Sequence, residues 1–430
     1  MNLPSAATRE TSDTVATPGG GSTSGSAGRG TGLLYFTPSD LLIPRVDRQC
    51  IMRFCEALAE TGGYVEAVSL NVRLDFDEPT QSMDLFSVYG IRTPFDVRIL
   101  PSFDRQARES GRVSALWRAL AYSLYALWKL VVKRAAFKNE RTVLYFKNYL
   151  LGVPFLAVRR LLRSRVLLLF EGHVPPSRML DRVILRKVDG VVPVSRILAR
   201  ELEAEHGVAG KRICVAHQGV NLQLIERSRV DKGEARVELG LPQNRRLAVY
   251  TGKVQADSGE VKLLLAAAKL LPSDVEMVIV GGRSDQVALL REQVKRSTIE
   301  NVRLPGFVAP SDVFRYQMAA DVLVSYYPSD LSINKYRASP GKLFEYMAVR
   351  RPIVTADYPA LREVLSPGAA VFVEKDDPER LAKGICLVLE DEALARRLVE
   401  QAYRDVQSFT WEARAARILD FAKALTECST

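Results

Sequence analysis

Short apolar runs alternate with longer segments whose apolar positions recur at helical spacing from residue 33 onward. In the first half, GLLYFTP, YVEAVSL, TVLYFK, RVLLLFEGH and GVVPVS read as strands. Helices are predicted for RVDRQCIMRFCEALAETGG, RVSALWRALAYSLYALWKLVVKRAAF, MLDRVILRKV and RILARELEAEHG, and RICVAHQGV closes this half. After LGLPQN the alternation resumes with RLAVYTG, VEMVIVGG, NVRLPGFV, ADVLVSYYP and RPIVTAD as strands, and EVKLLLAAAKLLP as the first intervening helix. Uniformly apolar strands separated by helices predict parallel sheets covered on both faces. The fold class is therefore α/β, with two doubly wound, Rossmann-like domains.

Length supports two domains, because 430 residues exceed what one ordinary core organises. The expected divisions are a tail over 1–32, a first domain over 33–225, a second over 242–405 and a closing segment over 406–430. The tail is rich in Ser, Thr, Gly and Ala and predicts disorder. Five scattered cysteines without C-x-x-C spacing argue for a reducing compartment and against structural zinc. No basic start followed by an apolar core marks a secretory leader, so the expected location is cytoplasmic.

Charge changes this picture in one place. Between Arg98 and Phe170, fifteen Lys/Arg face only Asp104, Glu109 and Glu140, a local balance of +12 that exceeds the net +10 of the whole chain. Such a segment wants an anionic partner. Within it, residues 113–132 carry only Arg118 and Lys129 as charges, with Trp117, Tyr122, Tyr125 and Trp128. A membrane span here would cut the first sheet in two and is rejected. Two readings stay open: a helix buried against the sheet, or one at an anionic membrane surface through residues 113–141, with Lys129, Lys133, Arg134 and Lys138 toward lipid.

Ligands of doubly wound sheets bind beyond the strands' carboxyl ends. Gly252 and Lys253 follow one strand, Gly281 and Gly282 the next, and Gly306, Phe307 and Val308 a third. Glycines there are expected to clear space for one extended ligand. In SPGKLFEYMA, Pro340 suits a helix start, and the amides of Gly341, Lys342 and Leu343 with the helix dipole form a ready anion site. Glu345, a little further in, suits a ribose diol. No acidic cluster suggests a metal.

These segments, with HQGVNL and SFTWEARAARIL, resemble the retaining glycosyltransferases of family 4, which have the GT-B fold. The resemblance implies an interdomain cleft and a C-terminal helix crossing back to the first domain. It implies a nucleotide-sugar donor, a glycan or lipid-linked acceptor, and no cofactor, metal or nucleic acid. Residue by residue, Glu345 matches the ribose carboxylate, and Gly341, Lys342 and Leu343 match the diphosphate turn. Lys253 matches a phosphate-binding Arg, Phe307 and Val308 the nucleobase loop, and His173 the acceptor-side histidine. The family's phosphate Lys falls at Ser258 or Gly259, and its first Glu falls at Arg337, so Lys262, Arg337 or Lys342 is expected to supply charge. His217 reads as structural and His206 as solvated. Two other function classes stay open: an epimerase-type nucleotide-sugar enzyme and a non-catalytic binder.

Overall fold

The computed structural model describes residues 32–42, 46–70, 84–100, 120–129, 142–162, 166–173, 179–327 and 339–427. The expected disordered tail, Arg337, and residues 113–119 and 130–141 of the basic segment lie outside the described residues. The first domain holds β1 (Gly32–Phe36), β2 (Val65–Leu70), β3 (Asp96–Leu100), β4 (Thr142–Phe146), β5 (Val166–Gly172) and β6 (Gly190–Pro193). The second holds β7 (Arg246–Thr251), β8 (Val275–Val280), β9 (Val302–Gly306), β10 (Val322–Ser325), β11 (Ile353–Ala356) and β12 (Val371–Val373). Their sheet orders are β3-β2-β1-β4-β5-β6 and β12-β11-β10-β7-β8-β9, every neighbouring pair parallel. Both are the doubly wound order, in which the chain reverses direction beside its first strand and opens a crevice.

Central strands are largely apolar because helices bury both faces; β1, β4 and β5 have no exposed position, and the one charge among them is Glu171 of β5. The elements that sequence patterning missed are the least regular. β3 is an edge strand with partly exposed residues, and β12 has three residues. The helix Tyr149–Leu162 carries Pro154 within it, and Gly152 is bare because an added Cβ would lie 2.2 Å from Ile184 Cγ2. Residues 222–242 are themselves folded: Ile225 and Ala235, on helices Leu222–Arg227 and Lys232–Glu238, belong to the second domain's core.

The chain crosses between domains twice, near 220 and near 410, and the crossings touch. Val220 N donates to Phe409 O at 3.0 Å, and a Cβ on Gly219 would sit 2.7 Å from Trp411 N. Beyond the second crossing, helix Trp411–Glu427 buries Trp411, Ala415, Ile418 and Ala422 in the first domain's core. Burying an apolar side chain contributes about 1.5–3 kcal/mol, so this face alone fixes the helix there.

Residues 120–129 are helical, with Tyr122, Ala126 and Lys129 turned inward. Lys129 does not face outward as the membrane-surface reading expected: its ammonium is 2.8 Å from buried Glu66. The opposite face, Leu120, Leu124 and Trp128, is exposed. Among the described residues no helix is long and apolar enough to cross a membrane.

Candidate active site

The carboxyl ends of β7 and β10 meet helix Gly341–Ala348, and those of β8 and β9 follow beside β7. At this edge the glycines have a cause nearer than a ligand. A Cβ on Gly252 would lie 2.7 Å from Tyr250 Oη and 2.9 Å from Lys342 Nζ. At Gly281, with φ +123°, it would lie 2.0 Å from the Gly252 carbonyl oxygen. Gly282, with φ +92°, would press a Cβ onto Val254 at 3.0 Å. The chain packs on itself at these three positions, which requires a bare backbone whether or not a ligand approaches it.

Gly252 makes room for a half-buried cation. The Lys342 ammonium stands 4.0 Å from the Tyr250 ring centroid, 4.9 Å from that of Tyr327 and 3.5 Å from Glu260 Oε1. Burial works against this charge, yet the tyrosine oxygens and Glu260 outweigh it and hold the ammonium well above the usual lysine range. Lys342 therefore brings a permanent positive charge to the strand edge. Its helix offers fewer free amides than expected. Leu343 N donates to Pro340 O at 3.1 Å, because the first turn tightens, which leaves Gly341 and Lys342 N–H without a described acceptor.

Glu345 sits in a buried polar set. Its Oε2 accepts from Gln317 Nε2 at 2.8 Å, while no described residue engages Oε1. Gln317 also donates to Thr251 Oγ1 at 3.3 Å, and Thr251 N donates to Tyr346 Oη at 2.9 Å. Burial raises the Glu345 carboxyl, and Gln317 and Lys342 pull in the other direction. One carboxylate oxygen is thus fixed and one is presented. Lys253 is exposed, with no acidic partner among the described residues. Ser258, at the place of the family's Lys, caps the helix Gly259–Ala268 by accepting from Val261 N at 3.3 Å. Lys262 is exposed, Phe307 is 69% exposed after β9, and Val308 packs partly on the core.

On the first domain, β5 ends in Glu171-Gly172-His173. Residues two apart on a strand share a face, and His173 Nε2 meets Glu171 Oε1 at 2.9 Å. Glu171 is buried and takes Arg414 Nη2 at 3.0 Å on Oε1 and the Tyr35 hydroxyl at 2.9 Å on Oε2. Burial alone would raise this carboxyl; Arg414, then His173, hold it far below the usual range. The i, i+2 spacing of Glu171 and His173 was legible, whereas nothing near Arg414 signals a pairing 243 residues away. Cys50, from the first domain, faces the start of helix Gly341–Ala348, its Sγ 4.0 Å from where a Gly341 Cβ would stand. Burial, then Glu345, pushes that thiol up to about 12, so it is a neutral wall of the cleft.

Two further contacts join the domains here. Gln218 N donates to Ser339 Oγ at 3.1 Å, next to the donor turn. Glu363 accepts from Arg196 N at 2.6 Å and Ile197 N at 2.9 Å, capping helix Arg196–Ala204 from the other domain. His217 Nε2 lies 3.5 Å from the same carboxylate, and burial, with Arg196 next, pushes the imidazole down to about 4. His206, expected in solvent, is 5% exposed, packed where its helix ends. There Glu201, Glu205 and His206 bring three ligand atoms within 4.8 Å, at the opposite end of the helix from Glu363.

Residues 231–405 match the family model described as glycosyl transferases group 1. A D-inositol 3-phosphate glycosyltransferase of Catenulispora acidiphila is 28% identical over 295 residues, 64% of this chain and 68% of that relative. Two further relatives of that description are matched over only 63% and 58% of their length. Among solved structures, HepE of Anabaena in complex with UDP and glucose has a TM-score of 0.66 at 16% identity, covering 92% of this chain and 100% of that one. Sucrose-phosphate synthase of Thermosynechococcus elongatus has a TM-score of 0.69 at 19% identity, covering 93% and 100%. This chain has the GT-B fold, and its residues 231–405 match the glycosyl transferases group 1 model.

Proposed function

We propose that this chain transfers a sugar from a nucleotide-sugar to an acceptor hydroxyl, with retention of anomeric configuration. The observation that carries the reading is Glu345: a half-buried carboxylate with one oxygen fixed by Gln317 and the other presented, beside amides and a half-buried ammonium. A carboxylate accepts a ribose diol, and the Gly341 and Lys342 amides with the helix dipole receive a diphosphate. As the glycosidic bond breaks, negative charge grows on the leaving diphosphate, where Lys342 and exposed Lys253 stabilise it. The acceptor hydroxyl then attacks from the face the diphosphate leaves, giving its proton to that phosphate. No side-chain nucleophile, cofactor or metal takes part in this reading, and His173 lines the acceptor side. The UDP-glucose complex of the HepE neighbour supports a UDP-hexose as the first donor to test.

The acceptor reading is an amphiphile met at an anionic membrane surface inside the cell. Eight of the thirteen exposed large apolar side chains among the described residues lie on three helices of the first domain, including Leu120, Leu124, Trp128, Leu161, Met179 and Leu180. Arg160, Arg182, Arg186 and Lys187 are exposed on the same helices. Apolar groups rimmed by cations suit an anionic bilayer. The test has two arms. A panel of nucleotide-sugars is screened for donor-dependent product by mass spectrometry, with and without EDTA. Product that needs added Mg²⁺ or Mn²⁺, or epimerised donor without transfer, overturns the reading. Flotation with anionic vesicles, reversed by salt, tests the surface; equal recovery on neutral vesicles rejects it.

A further inference from the structure

We propose that Arg414, carried by the C-terminal helix, is a positioning residue that acts through Glu171 to fix the tautomer of His173. Glu171 and Arg414 side chains are only 5% and 3% exposed, and their contact is 3.0 Å. His173 is 40% exposed and reaches Glu171 through Nε2. A carboxylate can only accept, so a neutral His173 must carry its hydrogen on Nε2, leaving Nδ1 as a lone pair. No described residue pairs with Nδ1. That nitrogen therefore accepts from a substrate hydroxyl rather than donating to one.

The arrangement depends on charge. A buried Glu171 without a cation would keep its proton and donate it to Nε2, which would move the ring hydrogen to Nδ1 and reverse what the cleft is offered. Arg414 prevents this, and it is itself held by donating from Nη1 to the His217 carbonyl at 2.8 Å and to that of Ala216. Tyr35 completes the set by donating to Glu171 Oε2 at 2.9 Å. The helix that returns from the second domain thus sets the hydrogen-bonding polarity of a side chain in the first.

The tautomer can be read directly. The chain has three histidines, so nitrogen-15 histidine labelling yields three imidazoles, assigned with His173→Ala. At alkaline pH the native protein is expected to show His173 with its proton on Nε2. In the paired variant Glu171→Gln with Arg414→Met, folded by circular dichroism, the same ring becomes a mixture. A native spectrum with the proton on Nδ1 overturns the proposal whether or not the variant folds, and so does an unchanged tautomer in the folded variant.

The link to turnover rests on the glycosyltransfer reading above and is measured with UDP-glucose or whichever donor the panel identifies. Glu171→Gln should lower kcat about tenfold, as one misdirected hydrogen bond would, with donor KM nearly unchanged. Added to His173→Ala it should change nothing further. Losses that multiply overturn the positioning role alone, whereas a fully active His173→Ala enzyme overturns the functional reading of His173 itself.

Discussion

Numbered from its own first strand, each sheet runs 3-2-1-4-5-6, so the two domains are two uses of one scaffold. The second domain builds its site around backbone: glycines at strand ends and a helix N-terminus, with Glu345 held by Gln317 and Lys342 threaded beneath Gly252. The first builds its site from side chains, with His173 held by Glu171 and Glu171 held by a residue from the far end of the chain. Backbone sites tolerate side-chain change around them but not a Cβ within them. Side-chain sites keep their backbone and fail when a charge loses its partner.

The largest expected effect tests the first domain. Glu171→Ala leaves Arg414 buried and unpaired, which should cost about 3–5 kcal/mol in urea unfolding. A loss below about 1 kcal/mol would mean that the pair is as dispensable as a surface one.

Next comes the second domain's exposed cation. Lys253→Ala should lower turnover by roughly two to three orders of magnitude, with donor affinity changed much less. Restoring Lys at position 258 should partly rescue it. Near-normal turnover would assign the phosphate charge to Lys342, already in place beneath the strand edge.

The boundary between the domains responds to pH. His217 has a folded value of about 4 against an ordinary 6.5, so the unfolded chain binds the extra proton between those values. Stability should therefore be complete above pH 6.5 and fall as pH drops toward 4, by roughly 3 kcal/mol from this group. Melting curves of His217→Asn should be flatter across that window; identical slopes would place the proton uptake elsewhere. Glu171, whose folded value is depressed, adds its own loss only below the ordinary carboxylate range.

The smallest effect is Glu345→Ala, expected to weaken donor binding by roughly 1.5–3 kcal/mol in calorimetry. Unchanged affinity would remove Glu345 from the donor site and leave that site to backbone and lysines alone.

The same contrast explains what could be read in advance. Strand order follows from apolar runs separated by helices, and those runs were evident except at the edges, where β3 is partly exposed and β12 is three residues long. Gly281, Gly282 and Lys342 stood out because local spacing carries their meaning. That Gly252 must admit Lys342 does not show locally, because it is a contact across 90 residues of sequence. Gln317, Tyr250, Tyr327 and Arg414 were invisible for the same cause: each meets its partner only after the sheet has formed. His206 was misplaced because a helix end is usually wet, and here it is packed.

The paired crossings at Val220 and Phe409 have a mechanical consequence. Two separate straps between two bodies would permit twist as well as rocking. Clipped together by the Val220–Phe409 bond and the close seat of Gly219 on Trp411, they act as one hinge pin, and twisting would first have to break that clip. The helix beyond the pin, although encoded last, then travels as cargo of the first domain. A residue inserted between Val406 and Thr410 would leave both sheets intact and still throw that cargo out of register, carrying Arg414 away from Glu171.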